Sequence, residues 1–187
     1  MSKNRNQLRI IGGEWKRRSL PFATIEGLRP TPDRIRETLF NWLMWDIQNA
    51  KVLDLCAGSG ALSFEALSRG AAQVDMIEPD RTQLEFLKSN IQLLKATNCK
   101  LIPTTAELAL QKIHDSYDLV FLDPPYSLDL WQDLAQSVDP HLNNHAFIYV
   151  EADRDLSQLK LPPSWILSKQ CKAGQVRAGL YQKQQST

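Results

Sequence analysis

From Lys51 onward, short apolar runs alternate with longer amphipathic stretches, and this rhythm constrains the fold more than any other feature of the chain. Runs such as Val52-Leu53-Asp54-Leu55 and Leu119-Val120-Phe121-Leu122 show no apolar-polar alternation, so both of their faces need cover. Parallel strands joined by crossover helices provide it. The pattern predicts strands near 51–55, 73–78, 99–103, 118–122 and 145–151, with helices near 60–69, 80–95, 105–113 and 128–138. After Glu151 the rhythm changes. Trp165-Ile166-Leu167-Ser168-Lys169 is followed by Gln175 to Tyr181 without room for a crossover helix, so these two runs should pair antiparallel. The expectation is an α/β chain with a seven-stranded, mostly parallel sheet and an antiparallel C-terminal strand.

Residues 1–48 read as an extension preceding a sheet domain at 49–187. Leu8 to Ile11 and Glu14 to Arg18 flank Gly12-Gly13, which predicts a β-hairpin with a two-residue turn and an exposed Lys16-Arg17-Arg18 strand. In Arg29-Pro30-Thr31-Pro32-Asp33, Thr31 suits a helix cap, Pro32 the first helical position and Asp33 the positive end of the dipole. The helix should run from about Pro32 to Trp45. Ile35, Leu39, Trp42 and Leu43 line one side, and Arg34, Glu37, Thr38 and Asn41 another that could look toward a ligand. Residues 1–36 carry nine Lys or Arg against three acids, in a chain whose net charge is only +1. Such a patch suits a phosphate backbone as readily as it suits a solvated tail. Its candidate contacts are Arg9, Lys16, Arg17, Arg18, Arg29, Arg34 and Arg36.

The 187 residues fit one globular domain with a short appendage. Cys56, Cys99 and Cys171 are odd in number and far apart, which argues against a disulfide framework or a cysteine metal site and suits a reducing cytoplasm. The N-terminus lacks the apolar core of a signal peptide, and no apolar stretch approaches the ~18 residues of a membrane span.

The run Val52 to Ala61 is a buried strand entering a glycine-rich turn that opens a helix, which places backbone N–H groups at the carboxyl edge of the sheet. Asp54, Cys56, Ala57, Gly58 and Gly60 are the candidate binding residues, with Asp54 suited to a cationic amino group. Ser63 stands where a dinucleotide fingerprint would need its third glycine. Glu78, 20 residues beyond Gly58, can accept bonds from two ribose hydroxyls. Thr105 and Ala106, after the third strand, would lie beside an adenine. An ordinary tight turn, a solvated Glu78 and a helix cap at Thr104 or Thr105 are the plainer alternatives.

Asp118 to Leu122 delivers Asp123-Pro124-Pro125-Tyr126 to the same edge. Two prolines in series fix the backbone and remove N–H donors, leaving carbonyl oxygens and the Asp123 carboxylate as acceptors. The lone pair of an sp² amine is delocalised, so a site that accepts both N–H bonds can turn it toward an electrophile. Asp123 and the Pro124 carbonyl are the candidate acceptors, and Tyr126 offers a flat surface for a base removed from its stack.

Asp123 to Tyr126 resembles the (Asp/Asn/Ser)-Pro-Pro-(Tyr/Phe/Trp) motif of the amine-methylating class I S-adenosylmethionine methyltransferases. Together with Arg9 to Gly13, Arg29 to Thr31, Asp33 to Trp42, Asp54 to Gly60 and Glu65 to Ala71, it makes the chain similar to the bacterial 16S ribosomal RNA guanine-N2 methyltransferase family. Pro32 departs from that family's pattern, where Thr is expected. The resemblance implies a Rossmann-like class I fold, with S-adenosylmethionine held by Asp54, Cys56, Ala57, Gly58, Gly60, Glu78, Thr105, Ala106 and Asp123. It implies catalysis at Asp123, Pro124 and Tyr126, without a metal, and 16S rRNA of the small ribosomal subunit gripped by the basic N-terminal hairpin. Rival readings are an adenine-N6 nucleic-acid methyltransferase, a glutamine-amide methyltransferase and a non-catalytic RNA-binding ribosome-assembly protein.

Overall fold

Val52, Val74, Leu119 and Tyr149 are buried in one apolar cluster, and Leu53, Val120, Ile148 and Val150 in another, so successive residues of each central run serve opposite faces of a sheet. A computed structural model describes residues 6–185. Lys3 and Arg5, counted in the basic patch, lie outside them. The sheet contains β3 (Lys51–Asp54), β4 (Gln73–Ile77), β5 (Cys99–Ile102), β6 (Tyr117–Leu122), β7 (Leu142–Ala152), β8 (Trp165–Ala173) and β9 (Val176–Lys183). It follows β1 (Asn6–Arg9) and β2 (Ser19–Phe22), which form a separate pair. The order in the large sheet is β5-β4-β3-β6-β7-β9-β8, parallel from β5 to β7. The strand β9 runs antiparallel between β7 and β8, as the missing crossover helix requires.

Helices α1 (Asp33–Trp42), α2 (Ala61–Ser68) and α3 (Arg81–Leu94) cover the first face. Ile35, Leu39, Leu62, Phe64, Leu87 and Leu94 supply their apolar contacts. The other face is covered by α4 (Ala106–Leu110) and α5 (Trp131–Val138), through Leu110, Trp131, Leu134 and Val138. Leu8, Leu20 and Phe22 join the same cluster as α1 and the sheet, so the N-terminal pair shares its core with the rest of the chain.

Three local expectations are corrected. First, the antiparallel pair joins Asn6–Arg9 to Ser19–Phe22, and Gly12-Gly13 and Lys16-Arg17-Arg18 all lie in the long connection. The glycines serve packing against α2 instead of a two-residue hairpin turn. Gly13 has φ 76°, and a Cβ there would sit 1.9 Å from the Ser68 carbonyl oxygen. The two oxygens of Glu65 accept the Ile11 and Gly12 amides at 2.9 and 2.8 Å, which fastens this connection to α2.

Second, Thr31 does not cap α1. Pro32 occupies that position without a side-chain bond, because the Thr31 hydroxyl is drawn inward to the Glu151 carboxylate at 3.0 Å. Third, Arg36 is fully buried, where it pairs with Asp33 and lies 3.8 Å from Glu65. Arg36, Leu39, Phe40 and Leu43 share one helical stripe, and Arg36 is thereby removed from the surface.

Candidate active site

The alternation along four neighbouring strands ends, on one face, in an acid. Val52 leads to Asp54, Met76 to Glu78, Phe121 to Asp123 and Tyr149 to Glu151. Four carboxylates thus meet at the carboxyl edge of β3, β4, β6 and β7. Among the described residues, no Lys or Arg is hydrogen-bonded or ion-paired to any of them.

Asp54 is buried and accepts the Ser63 hydroxyl at 2.7 Å, while its Oδ1 makes no hydrogen bond of sound geometry among the described residues. Burial pushes its pKa up to about 7, with the Glu78 charge adding to the rise and the Ser63 hydroxyl and Cys56 amide opposing it. Burial also raises Glu78, although Asp80 N donates to its Oε1 at 2.9 Å and Gly58 N to its Oε2 at 2.8 Å. Asp123 is raised well above the carboxylate range, first by loss of water and then by the Glu151 and Asp54 charges, against the Thr31 hydroxyl. Glu151 is raised by burial despite bonds from Tyr149 OH at 2.7 Å, Thr31 at 3.0 Å and Tyr126 OH at 3.0 Å. Crowding of unpaired carboxylates costs free energy that a cationic ligand would return.

A cavity of about 490 Å³ opens onto three of these acids, Asp54, Glu78 and Asp123, while Glu151 is buried beside Asp123 and outside its lining. It is lined by 25–31, by Asp54 to Ser59, by Glu78 to Asp80, by Thr105 to Glu107 and by Asp123 to Leu128. The structure therefore brings all the sequence-predicted cofactor residues to the lining of one cavity except Gly60, which shapes the adjoining turn. Gly60 has φ 82°, and a Cβ there would lie 2.4 Å from the Phe64 ring. Gly58, at φ 53°, leaves room for Leu28 across the cavity. Thr105 reaches the rim, and its hydroxyl accepts the Leu108 amide at 3.5 Å as the cap of α4, the plainer alternative. Cys56 also lines the cavity, with its thiol raised by burial, then by the Asp54 and Asp123 charges, and so kept neutral.

Tyr126 is held at both ends. Its hydroxyl bonds Glu151, and its ring lies 5.9 Å from that of Trp131 at a 30° tilt. Trp131 Nε1 donates to the Glu151 carbonyl at 2.8 Å, so the side chain that carries Tyr126 is itself fixed to β7. The Pro125 carbonyl accepts Leu128 N at 3.1 Å, closing a 3₁₀ turn that aims the Asp123-Pro124 edge at the cavity. Glu151, Thr31 and Tyr149 escaped the reading of the sequence. The signal for Glu151 was the repeated acid at the end of an apolar strand.

Of the basic candidates, Arg9, Lys16, Arg17, Arg18, Arg29 and Arg34 are exposed. Arg29 lies at the cavity itself, and one Arg18 nitrogen donates to the Leu93 carbonyl at 3.1 Å. No helix among the described residues is long and apolar enough to cross a membrane.

The site fits S-adenosylmethionine. Asp54, with its unpartnered oxygen, suits the cationic amino group, Glu78 the ribose hydroxyls, and the acid-lined space between them a sulfonium. Residues 8–182 match the family model described as conserved hypothetical protein 95. Ribosomal RNA small subunit methyltransferase D of Escherichia coli (strain K12) is 42% identical over 180 residues, which are 95% of this chain and 91% of that protein. Its namesake in Haemophilus influenzae is 41% identical over 184 residues, 95% of each chain. The solved structure of the Escherichia coli protein yhhF superposes with a TM-score of 0.88 at 42% identity, covering 96% of this chain and 99% of that one. The chain belongs to the conserved hypothetical protein 95 family, together with these methyltransferase D proteins.

Proposed function

We propose that the chain methylates the exocyclic N2 of a guanine in 16S rRNA of the small ribosomal subunit, with S-adenosylmethionine as donor. The observation that carries this reading is the Asp123-Pro124-Pro125-Tyr126 turn, whose two prolines bring no N–H donor, set against a cavity crowded with carboxylates. When bound, the cofactor supplies an electrophilic methyl group. Asp54 and Glu78 hold it, with the backbone of residues 56–60 and 105–106. Asp123 and the Pro124 carbonyl accept the two amine N–H bonds, which turns the nitrogen lone pair out of conjugation. Tyr126 supports the base. The surplus proton of the methylated nitrogen leaves toward Asp123. Preorganised acceptors of this kind act mainly by orientation and by stabilising charge that develops on nitrogen.

The names of the methyltransferase D relatives favour small-subunit rRNA over other amines. Arg9, Lys16, Arg17, Arg18, Arg29 and Arg34 are the proposed phosphate contacts, and Arg36 is left out because it is buried. The test is incubation of the protein with S-adenosylmethionine and small ribosomal subunits or their RNA, followed by mass-spectrometric nucleoside analysis. N2-methylguanosine supports the reading. N6-methyladenosine replaces it with the adenine alternative, and an unmethylated product overturns it.

A further inference from the structure

Thr31 Oγ1 lies 3.0 Å from Glu151 Oε2 and 3.3 Å from Asp123 Oδ2. A hydroxyl has one proton, so it can donate to one carboxyl group and accept from the other. Glu151 also receives the hydroxyls of Tyr126 and Tyr149, whereas Asp123 has Thr31 as its one side-chain partner among the described residues. Three O–H donors favour charge on Glu151. The resting proton of the pair therefore sits on Asp123, which donates to Thr31 while Thr31 donates to Glu151. An Asp123 in that state is a poor acceptor for an amine.

Resting on the proposed methylation of an amine, we propose that Thr31 is a proton bridge through which Glu151 takes the proton that Asp123 must shed when the amine arrives. As the amine N–H donates to Asp123, the Asp123 O–H bond breaks and its proton binds Thr31 Oγ1. The original Thr31 proton passes to Glu151 Oε2. The trio keeps one negative charge, now on Asp123, and no proton has to leave the cavity. After methyl transfer, ionised Asp123 takes the surplus proton from nitrogen. Thr31 and Glu151 are positioning residues, since both act through Asp123.

The groups facing the pair are Asp54 at the end of β3, Cys56 just after it, Tyr126 beyond β6, Tyr149 on β7 and Cys171 on β8, with Arg34 of α1 acting on Cys171. Burial first, and then the Glu151 and Asp54 charges, hold Asp123 up, and Thr31 pulls it down. The two partners should therefore shift the acid limb of the rate profile in opposite directions.

The test is single-turnover methylation of the RNA from pH 5.5 to 9 by wild type, Thr31→Val, Thr31→Ser and Glu151→Gln, with thermal melts confirming that each is folded. Thr31→Val should lose roughly tenfold near pH 6.5, less than the ~10² expected for removing a positioned proton acceptor itself. It should regain rate as Asp123 ionises unaided at high pH, and Thr31→Ser should recover most of the deficit. Glu151→Gln should move the acid limb to lower pH. A Thr31→Val loss that is the same at every pH, or no loss at all, overturns the bridge, as does an unmoved limb in Glu151→Gln. Absence of N2-methylguanosine with wild type overturns the substrate reading instead, and the bridge is then tested on whichever amine is methylated.

Discussion

Glu78 accepts the Gly58 amide at 2.8 Å, tying the acid that ends β4 to the glycine turn that follows β3. The same carboxylate holds Asp80 N, so one side chain organises both strand ends around the cavity. Replacing Glu78 with Ala removes these bonds together with the proposed ribose acceptor. Hydrogen bonds to charged groups contribute about 1.5–3 kcal/mol each. Calorimetry should show cofactor affinity reduced by roughly 10- to 100-fold, and an unchanged affinity would remove Glu78 from the site.

Asp123 touches the proposed amine and not the main cofactor contacts. Asp123→Ala should slow single-turnover methylation by ~10² or more and leave cofactor affinity largely intact. A variant that turns over at the wild-type rate would end its proposed role.

Cofactor affinity should depend on pH through Asp54. Its folded pKa of about 7 lies above its ordinary value of 3.8, so the protonated form prevails in the free site below neutrality. A cationic amino group needs the ionised form, and binding must then expel a proton. Affinity should be roughly tenfold tighter at pH 7 than at pH 5.5, and the dependence should flatten in Asp54→Asn. The sign for stability is opposite. A raised carboxyl pKa favours the folded state at low pH, and that contribution is lost as pH rises from about 4 to about 7. Urea titrations of the free protein across this window test the second statement.

The exposed and buried arginines should separate by readout. Neutralising Arg17, Arg18 and Arg34 together should weaken RNA binding and make its salt dependence shallower, at little cost in stability. Arg36→Ala should destabilise the fold by about 3 kcal/mol, the order expected when one member of a buried ion pair is lost. Filter binding at several salt concentrations and chemical denaturation distinguish the two. An equally steep salt slope in the triple variant would place the RNA contact elsewhere.

Gly60→Ala should be costly without removing any functional atom. The left-handed backbone costs about 1–2 kcal/mol, and the new methyl would lie 2.4 Å from Phe64 and 2.8 Å from Leu87. With overpacking of about 1–3 kcal/mol added, a loss of about 2–5 kcal/mol is expected in urea unfolding.

The central sheet was legible because its runs are apolar on both faces, and each predicted strand overlaps an observed one. The N-terminal pair was not. Pro21 lowers the strand propensity of Ser19–Phe22, yet it is accommodated in the two-stranded edge opposite Gln7. Gly12-Gly13 looks like a turn in one dimension, but it is the surface of α2 that requires its missing side chains. Arg36 was misread by its charge although its spacing from Leu39, Phe40 and Leu43 already placed it inside. Asp54, Glu78 and Asp123 were visible beside recognisable turns. Glu151 and Thr31, 120 residues apart, meet only because β7 lies next to β6 and α1 begins above them.

The helix α2 begins at the glycine turn and ends where Ser68 and Glu65 clamp the basic connection. Its eight residues make a rod of about 12 Å. The connection that carries Lys16-Arg17-Arg18 and the cavity are thus mounted on a single stiff spacer. If the proposed phosphate contacts hold, a backbone gripped at one end would present its bases to the other at a set reach, and the nucleotide would be chosen by distance along a folded RNA as well as by the shape of the base.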